Sequence, residues 1–467
     1  MNQHTHGSGE NLQASEADPH LHRASIKLRR RSLLGGAAAL AAGLGVSACS
    51  PGSSGRPGQQ AAPEGDGGAG KYDGPEVELA FWHGLTGGDG PIMKQLADEF
   101  TKANPKITIK QQPIVWEQYY EKLPAATSQG KGPDIAIMHA DRVATNAARQ
   151  VIQPLTDVNE ALGLGEGDYA ELAWRAGQFQ DKEWSVPLDI HCGGLYYNKT
   201  TMEKAGLDPD SPPTNLDEFM AALDAAKSKN IQGMWVSTGS AANGPLGQTL
   251  VYQFGGSMVS EDGTKVEFGS PQAVEAIEWI KSLVDDGYSP AKAAGDGDVV
   301  SFQNDKSLFM FNGSWMVTPL NEVKKLKWDA TVVPNIGGTP AVWAGSHQLV
   351  LPNNRGANDE DKAQASRVFL NWLSKNSLGW ADAGQVPARN DVREDPGFAD
   401  KGQVVEFAKQ LDYIRFTPPV PGISDAFVDW APAVSLAMLG KKDTATALGE
   451  AAEKGQRILE QNKEKYG

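Results

Sequence analysis

Four histidines lie beyond the N-terminal region of the chain, and imidazole is the side chain best suited to bind a metal or exchange a proton near neutral pH. They are His83, His139, His191 and His347, each near the predicted end of a β-strand. No two of them have the i, i+4 or similar spacing of metal ligands. We therefore expect no metal site and no cofactor, and favour hydrogen bonding to hydroxyl groups or plain surface positions for these side chains.

Five tryptophans also lie at predicted loop or strand-end positions: Trp82, Trp116, Trp235, Trp315 and Trp343. An indole ring offers a flat apolar face to a ligand, but a buried tryptophan more often belongs to a hydrophobic core. Packing is therefore the favoured interpretation for each of them except Trp315.

The chain lacks the familiar catalytic motifs. It has no Gly-x-Ser-x-Gly elbow, no His-Glu-x-x-His pair and no Walker loop, and Cys192 beside His191 is weak support for a thiol nucleophile. A glycoside hydrolase would need two carboxylates at a defined separation, and Asp141 and Asp189 leave that alternative open. An enzyme is accordingly the less favoured class.

The stretch that must position the candidate residues covers residues 186–199. It combines Pro187, which fixes φ, with the pair Gly193 and Gly194 and a β-prone aromatic run. Residues 331–338 repeat the combination of a β-branched run, a proline and a glycine pair. We interpret both stretches as strands that cross between two lobes, which leaves a cleft that can close on a small molecule.

Strands alternate with helices in the first part of the body, which indicates an α/β fold. A predicted strand over residues 77–82 enters a glycine-rich loop at residues 83–90, and a helix follows from Pro91. In an open parallel sheet such a loop presents ligands to backbone N–H groups and helix N-termini. Asp89 in this loop either accepts a hydrogen bond from a ligand or serves as a turn residue.

Residues 1–48 have the features of an export signal. Basic side chains precede residues 33–46, which contain only Leu, Gly, Ala and Val and are too few to span a bilayer. The sequence Arg30-Arg31-Ser32-Leu33-Leu34 resembles a twin-arginine signal, and Val46-Ser47-Ala48-Cys49 resembles a lipobox, after which Cys49 would carry lipid. Residues 49–74 are poor in large apolar groups, and we expect them to form a flexible tether.

Composition limits the partners of the remaining chain. The net charge of −15 over the whole chain argues against nucleic acid, whose phosphate backbone demands basic surfaces. No segment after residue 74 has the long uncharged apolar run of a membrane helix. With Cys49 lipidated, Cys192 would have no partner for an internal disulfide.

The order of several loose motifs resembles the family 1 extracellular solute-binding proteins, the family that contains maltose-binding protein. The motifs are Phe81-Trp82 with the glycine loop, residues 132–142, Leu195-Tyr196-Tyr197-Asn198-Lys199, residues 212–219, Phe311-Asn312-Gly313-Ser314-Trp315 and residues 365–373. Together they cover residues 77 to about 390. The resemblance implies a two-lobed periplasmic-binding-protein-like fold of class II, in which each lobe is a mixed sheet flanked by helices. It also implies a receptor that closes around a sugar and delivers it to an ABC importer.

The resemblance implies roles for particular residues. Asp141 and Arg142 match an acidic and basic pair that hydrogen-bonds sugar hydroxyls, and Trp315 matches an aromatic platform under a sugar ring. The loop 384–389 resembles a late family loop in which an arginine faces the cleft, so Arg389 is a candidate, with a solvent-exposed charge as the alternative. His191 stands where the maltose branch has an acidic residue, and Met138 replaces a tryptophan, so we do not expect maltose itself.

We expect residues 75–190 and 332–382 to form one lobe and residues 191–331 and 383–467 the other. The candidate ligand-binding residues are Trp82, His83, Asp89, Trp116, Asp141, Arg142, Asp189, His191, Trp235, Trp315, Gly345, Ser346 and Arg389. The expected protein is a monomeric receptor without enzymatic activity, lipid-anchored at the outer face of the bacterial cytoplasmic membrane and served by ABC permease subunits. Its expected ligand is a sugar or oligosaccharide. The alternatives are a receptor for a glycerol phosphodiester or an amino sugar, and a secreted hydrolase.

Overall fold

The computed structural model of the chain describes residues 71–236, 244–293, 295–356 and 359–466. The predicted signal peptide, the lipobox and all but the last four residues of the predicted tether therefore lie outside the described residues. Within them, the strands are β1 (Val77–His83), β2 (Ile107–Pro113), β3 (Ile135–His139), β4 (Gln178–Phe179), β5 (Lys182–Glu183), β6 (Val186–Pro187), β7 (Asp189–Asn198), β8 (Gln232–Met234), β9 (Ser307–Gly313), β10 (Trp328–Thr331), β11 (Val342–Gly345), β12 (His347–Val350), β13 (Val386–Pro387) and β14 (Ile414–Arg415).

Helices fill most of the chain between these strands. They are α1 (Gly90–Ala103), α2 (Trp116–Ser128), α3 (Ala140–Ala148), α4 (Thr156–Leu162), α5 (Glu171–Arg175), α6 (Lys199–Ala205), α7 (Leu216–Ser228), α8 (Pro245–Gln253), α9 (Pro271–Asp285), α10 (Gly297–Gln303), α11 (Val317–Asn321), α12 (Glu360–Lys375), α13 (Ser377–Trp380), α14 (Asn390–Arg393), α15 (Gln403–Ala408), α16 (Ile423–Ala426), α17 (Trp430–Met438) and α18 (Thr444–Tyr466). Short 3-10 helices cover Glu166–Asp168, Ser314–Met316, Ala381–Ala383, Pro396–Asp400 and Leu411–Tyr413. In the described part of the chain, no helix combines the length and the apolar character needed to cross a bilayer.

The first sheet has the strand order β2-β1-β3-β12-β6. Strands β2 and β3 run parallel to β1, and β12 is antiparallel to both β3 and β6. Helix α1, which has a proline in its first turn, buries Met93, Leu96, Ala97 and Phe100, and Phe100 reaches Phe369 of α12 with ring centroids 4.7 Å apart. We call this sheet and the helices packed on it the first lobe.

The second sheet has the strand order β14-β11-β7-β9-β8, and β10 and β13 also pair with β7. All ten residues of β7 are buried, as expected for a central strand that is covered on both faces. Its glycine pair lets bulky rings approach the backbone: a β-carbon on Gly194 would lie 2.4 Å from the Phe407 ring. We call this sheet and its helices the second lobe.

The chain passes from the first sheet to the second at Leu188, inside the stretch that the sequence predicts as a crossing. Val186 and Pro187 pair with β12, whereas Asp189 already pairs with Pro387 of β13. The predicted return crossing at residues 331–338 is wrong. Strand β11 still pairs with β7, and the chain reaches the first sheet only between Gly345 and His347.

Residues 334–341 form a loop of the second lobe that a single buried side chain holds in place. Gln253 donates through Nε2 to the carbonyl groups of Pro334 and Ala341, both at 3.1 Å. Its Oε1 accepts from the backbone N–H groups of Ile336 (2.8 Å) and Gly337 (3.3 Å). Because Gln253 bonds this loop to the second lobe, the stretch with Pro334 and the glycine pair does not cross to the first lobe. The remaining predicted lobe boundaries stay predictions.

Replacing Gln253 should be costly because four backbone groups lose their partner together. For Gln253→Leu we expect the free energy of unfolding to fall by at least about 3 kcal/mol, since each unpaired buried group costs about 1–3 kcal/mol. Urea unfolding followed by tryptophan fluorescence measures the change. The control is Gln95→Leu, because Gln95 is exposed and bonds only to Glu99 one helical turn away. Equal stability of the two variants would contradict this assignment.

Candidate functional site

A cavity of about 620 Å³ lies between the two sheets. Its lining from the first lobe includes Gly84, Thr86, Gly87, Gly88, Asp89, Trp116, His139, Ala140, Asp141, Arg142 and His347. The remaining lining residues are His191, Gln248, Trp315, Met316, Pro319, Trp343, Ala344, Gly345, Gln385, Phe416, Thr417, Ser424 and Phe427. Both lobes thus supply walls of one cavity, as a cleft that closes on a ligand requires.

Strand ends and helix starts position the first-lobe side of the cavity. The loop after β1 leads through Asp89 into α1, and β3 ends at His139 directly before α3 begins with Ala140. Trp116 is the first residue of α2. These positions follow from an open parallel sheet, in which the carboxyl ends of neighbouring strands and the N-termini of the following helices meet at one edge.

Indole rings form much of the cavity wall, and glycines make room for two of them. A β-carbon on Gly84 would lie 1.9 Å from the Trp116 ring, and one on Gly313 would lie 2.1 Å from the Trp315 ring. Each indole therefore packs directly over a backbone. Trp343 lies edge-on to Trp315 with ring centroids 6.3 Å apart.

Beneath the cavity, Asp189 collects hydrogen bonds from both lobes. Its side chain is fully buried and accepts from the backbone N–H of His347 at 2.9 Å and from Trp380 Nε1 at 2.7 Å. His347 Nδ1 lies 2.7 Å from one carboxylate oxygen, and His191 Nδ1 lies 3.4 Å from the other. The carboxylate thereby orients two imidazole rings of the cavity wall.

The electrostatics of this cluster follow from burial and from the single carboxylate. Burial opposes the charge of Asp189, but His347 and His191 outweigh it and hold the Asp189 pKa well below its usual range. Burial also opposes protonation of His347, yet Asp189 outweighs that effect and raises the His347 pKa. For His191 burial prevails and lowers the pKa. His347 is therefore the more basic of the two imidazoles and the closer partner of Asp189.

His139 is fixed by a tyrosine instead. Tyr120 Oη accepts from the His139 backbone N–H at 2.9 Å and lies 2.8 Å from His139 Nδ1. Burial, with the neighbouring His347 and His191, holds the His139 pKa well below its usual range. His139 is therefore a neutral side chain of the wall.

Asp141 and Arg142 line the cavity, as expected, but they also bond to residues of α16. Ser424 Oγ donates to Asp141 Oδ2 at 2.5 Å, and Asp425 lies 3.5 Å from Arg142 and 3.2 Å from Arg149. We call these contacts between α3 and residues 424–425 the rim contact. They join the first lobe to helices packed on the second.

Two buried polar atoms of the wall have no hydrogen-bond partner among the described residues, namely Asp89 Oδ1 and Gln385 Nε2. Burial raises the pKa of Asp89. Gln385 is fully buried, and its Oε1 accepts from Ser314 Oγ at 2.7 Å, which leaves the amide N–H groups for another acceptor. A polar ligand would satisfy such atoms, since buried polar groups are normally paired.

The lining includes seven of the predicted residues: Asp89, Trp116, Asp141, Arg142, His191, Trp315 and Gly345. Asp189 lies just beneath it. Trp82 and His83 do not line this cavity. Side chains alternate along β1, so Trp82 lies on the face of the sheet opposite to Phe81 and His83. There Lys122 Nζ lies 4.6 Å from the centroid of the Trp82 ring. His83 is buried, and its Nε2 lies 3.1 Å from Gln111 Oε1.

Trp235, Ser346 and Arg389 are also corrected, because other contacts hold them away from the cavity wall. The Trp235 ring packs against Gly297, where a β-carbon would come within 3.0 Å of it. Ser346 is fully buried and accepts from Gln348 Nε2 at 2.9 Å. Arg389 donates to both carboxylate oxygens of Asp391 at 2.8 and 2.7 Å. Asp391, two residues later in the sequence, is the signal that could have indicated this pairing.

Several lining residues were not among the candidates. The sequence marks His139, His347 and Trp343 as strand-end residues that border the predicted cleft, and Gln385 lies in the same loop as Arg389. Phe416, Thr417, Ser424 and Phe427 come from the C-terminal part of the chain, where no local pattern marks them. Only their packing on the second lobe brings them to the cavity.

Removing the charge of Asp189 should destabilise the protein strongly. In Asp189→Asn the amide can accept on one side only, and His347 loses its carboxylate partner. We expect the free energy of unfolding to fall by about 3–5 kcal/mol, as for other broken buried pairs, measured by denaturant unfolding at pH 7. The control Asp98→Asn breaks an exposed i, i+4 pair with Lys94 and should cost under about 0.5 kcal/mol. Similar losses in both variants would refute the role of Asp189.

Comparison with known proteins identifies the family of the chain. The family model for bacterial extracellular solute-binding proteins matches residues 95–406. A binding protein of Brucella abortus (strain 2308) is 26% identical over 386 residues, which cover 79% of this chain and 90% of that protein. The sn-glycerol-3-phosphate-binding periplasmic protein of Salmonella typhimurium is 25% identical over 419 residues, which cover 82% and 92%.

Solved structures share the fold. The GacH receptor of Streptomyces glaucescens, which was solved unliganded and with acarbose, superimposes with a TM-score of 0.72 at 21% identity and covers 82% of this chain and 98% of that one. The cyclic alpha-maltosyl-1,6-maltose binding protein of Arthrobacter globiformis gives 0.69 at 23% identity, over 83% and 100%. The expected two-lobed α/β fold of periplasmic binding proteins is confirmed. The chain belongs to the bacterial extracellular solute-binding protein family.

Proposed function

We propose that this protein is the extracytoplasmic substrate-binding protein of an ABC importer and that it binds a sugar or oligosaccharide. In this proposal a lipid on Cys49 holds the protein at the outer face of the bacterial cytoplasmic membrane. The observation that carries the proposal is the cavity between the two sheets, whose walls come from both lobes. A ligand in it contacts both lobes at once and therefore favours their closed arrangement.

The wall has the two kinds of group that a saccharide needs. Trp116, Trp315 and Trp343 offer indole faces to the C–H side of a sugar ring. Asp89 Oδ1 can accept from a hydroxyl, and Gln385 Nε2 can donate to one. An apolar wall with a few unpaired polar atoms is the usual composition of a small-molecule site.

The charges of the wall support a neutral ligand over a phosphate. Asp89 and Asp141 are lining carboxylates, and Arg142 already lies near Asp141 (3.8 Å) and Asp425 (3.5 Å). An added phosphate would face these carboxylates without a free guanidinium to receive it. We therefore rank a neutral saccharide above a glycerol phosphodiester, although the Salmonella relative is named for sn-glycerol 3-phosphate.

An amino sugar is the second candidate ligand. The unpaired Asp89 carboxylate oxygen would receive an ammonium group at least as well as a hydroxyl. A hydrolase is disfavoured because Asp189, one of the two carboxylates considered for it, is fully buried and occupied by donors from His347 and Trp380. A buried and fully bonded carboxylate cannot approach a glycosidic bond.

Trp315→Ala should weaken saccharide binding while the protein still folds. Truncating a central indole typically costs 2 kcal/mol or more, so we expect the Kd to rise by about thirtyfold or more. Calorimetric titration with acarbose, maltotriose, glucosamine and sn-glycerol 3-phosphate measures this, with circular dichroism as the check on folding. The control is Trp82→Ala, which removes an indole outside the cavity. Unchanged affinity in Trp315→Ala would reject the platform role.

Asp425→Ala should shift the lobes toward the open arrangement because it removes the two ion pairs of the rim contact, those with Arg142 and Arg149. These ion pairs are partly exposed, so the two together are worth at most about 2 kcal/mol, and we expect the saccharide Kd to rise by at most about thirtyfold. Fluorescence titration measures it. Asp412→Ala removes an exposed carboxylate elsewhere on the second lobe and serves as the charge-matched control. Tighter binding in Asp425→Ala would contradict a closing role for the rim contact.

A further inference from the structure

The glycine-rich loop of the first lobe contacts the second lobe at Gly88. A β-carbon on Gly88 would lie 2.7 Å from Pro319 Cδ and 2.9 Å from Thr318 Cβ. Both atoms belong to α11, which continues from β9 of the second sheet through the 3-10 helix Ser314–Met316. This contact between the lobes is separate from the rim contact, because it involves neither α3 nor α16.

Space, and not backbone conformation, is what requires glycine at this position. The φ angle of Gly88 lies outside the left-handed region that favours glycine, so the backbone itself would accept alanine. Carbon atoms attract each other best at about 3.5–4.0 Å, and a β-carbon 2.7 Å from Pro319 Cδ would be strongly repelled. An added methyl group therefore fits only if the loop and α11 move apart.

Neither side of this contact can give way by rotating a side chain. Pro319 Cδ is bonded to the backbone nitrogen and Thr318 Cβ to its own Cα, so both atoms move only with the backbone of α11. Thr318 Oγ1 also donates to the carbonyl of Asp382 at 3.2 Å, which holds α11 in place. On the other side, the N–H of Gly90 donates to the carbonyl of Gly87 at 3.2 Å and closes the loop into a turn around Gly88.

We propose that Gly88 is a positioning residue for ligand binding: its missing side chain lets the two lobes close fully, and a side chain there would hold them apart as a wedge. This role rests on the proposed function, because closure matters only when a ligand is held between the lobes. The next residue, Asp89, has a buried carboxylate oxygen without a partner among the described residues. A loop pushed away from α11 would carry this oxygen away from a ligand bound to the second lobe.

Gly88→Ala should raise the Kd for a saccharide by about fivefold or more, because the extra methyl group overpacks the contact in the closed arrangement. Calorimetric titration with acarbose and with maltotriose measures the change, and circular dichroism checks folding. Small-angle X-ray scattering should show a larger radius of gyration for the bound variant than for the bound unaltered chain. The control Gly167→Ala adds the same group at an exposed position with no neighbouring atom within 4 Å and should bind as the unaltered chain does.

Direct crowding of the ligand would be another effect of the new methyl group, since Gly88 also lines the cavity. Pro319→Ala separates the two effects, because it removes Cδ and Cγ, the proline atoms that would lie 2.7 and 3.1 Å from the added β-carbon. If the methyl group acts as a wedge between the lobes, Gly88→Ala should raise the Kd by a distinctly smaller factor in Pro319→Ala than in the unaltered chain.

Equal effects of Gly88→Ala in both backgrounds would show that the methyl group crowds the ligand, and would overturn the role of Gly88 in closure. A bound Gly88→Ala variant as compact as the bound unaltered chain would overturn it too. Either result leaves the proposed function intact, because the unaltered chain still binds a saccharide. If the unaltered chain binds neither acarbose nor maltotriose, the proposed function is contradicted, and the role of Gly88 with it.

Discussion

The structure depends most on one buried carboxylate at the point where the chain changes lobes. Asp189 is the first residue of β7 in the second sheet, and its partners His347 and Trp380 belong to the strand and helices that follow the return to the first sheet. A buried charge is tolerated only when it is paired and hydrogen-bonded. The need to satisfy this carboxylate therefore fixes the crossing strands against each other.

The same constraint shapes the cavity wall. Because Asp189 holds His191 and His347 from behind, their rings cannot turn away from the cavity, and they stand beside the indoles of Trp116 and Trp343. Rigid walls at the crossing contrast with the rim contact, where Asp425 makes only partly exposed pairs. Exposed pairs are weak, so the rim contact holds the two lobes together less firmly than the crossing strands do. This arrangement suits a receptor that must open to load and close to hold.

Local patterns predicted a good part of this molecule. The first crossing and the glycine loop before α1 are both local features, because proline, glycine and strand periodicity act within a few residues. Trp315 was found through its motif, and it lines the cavity. The false return crossing at residues 331–338 had the right local chemistry, but Gln253, some eighty residues earlier, decides how that loop folds.

Other parts of the site were beyond such reasoning. The loop pattern around Arg389 predicts a position facing the cleft, yet its side chain bonds to the carboxylate of Asp391 instead. His139, His191 and His347 have no meaningful spacing in sequence, and only the pairing of β12 with β3 and of β11 with β7 brings them together. Phe416 and Phe427 depend on how the C-terminal helices pack on the second lobe. Convergence of distant segments is a property of topology, which single-sequence patterns do not encode.

The central claim is that a small polyhydroxylated ligand draws two lobes together about the crossing strands. Small-angle X-ray scattering of the mature protein, with and without a saccharide that calorimetry shows to bind, tests it most directly. The account predicts a smaller radius of gyration and a shorter maximum dimension in the bound state. Identical scattering curves at saturating ligand would contradict it.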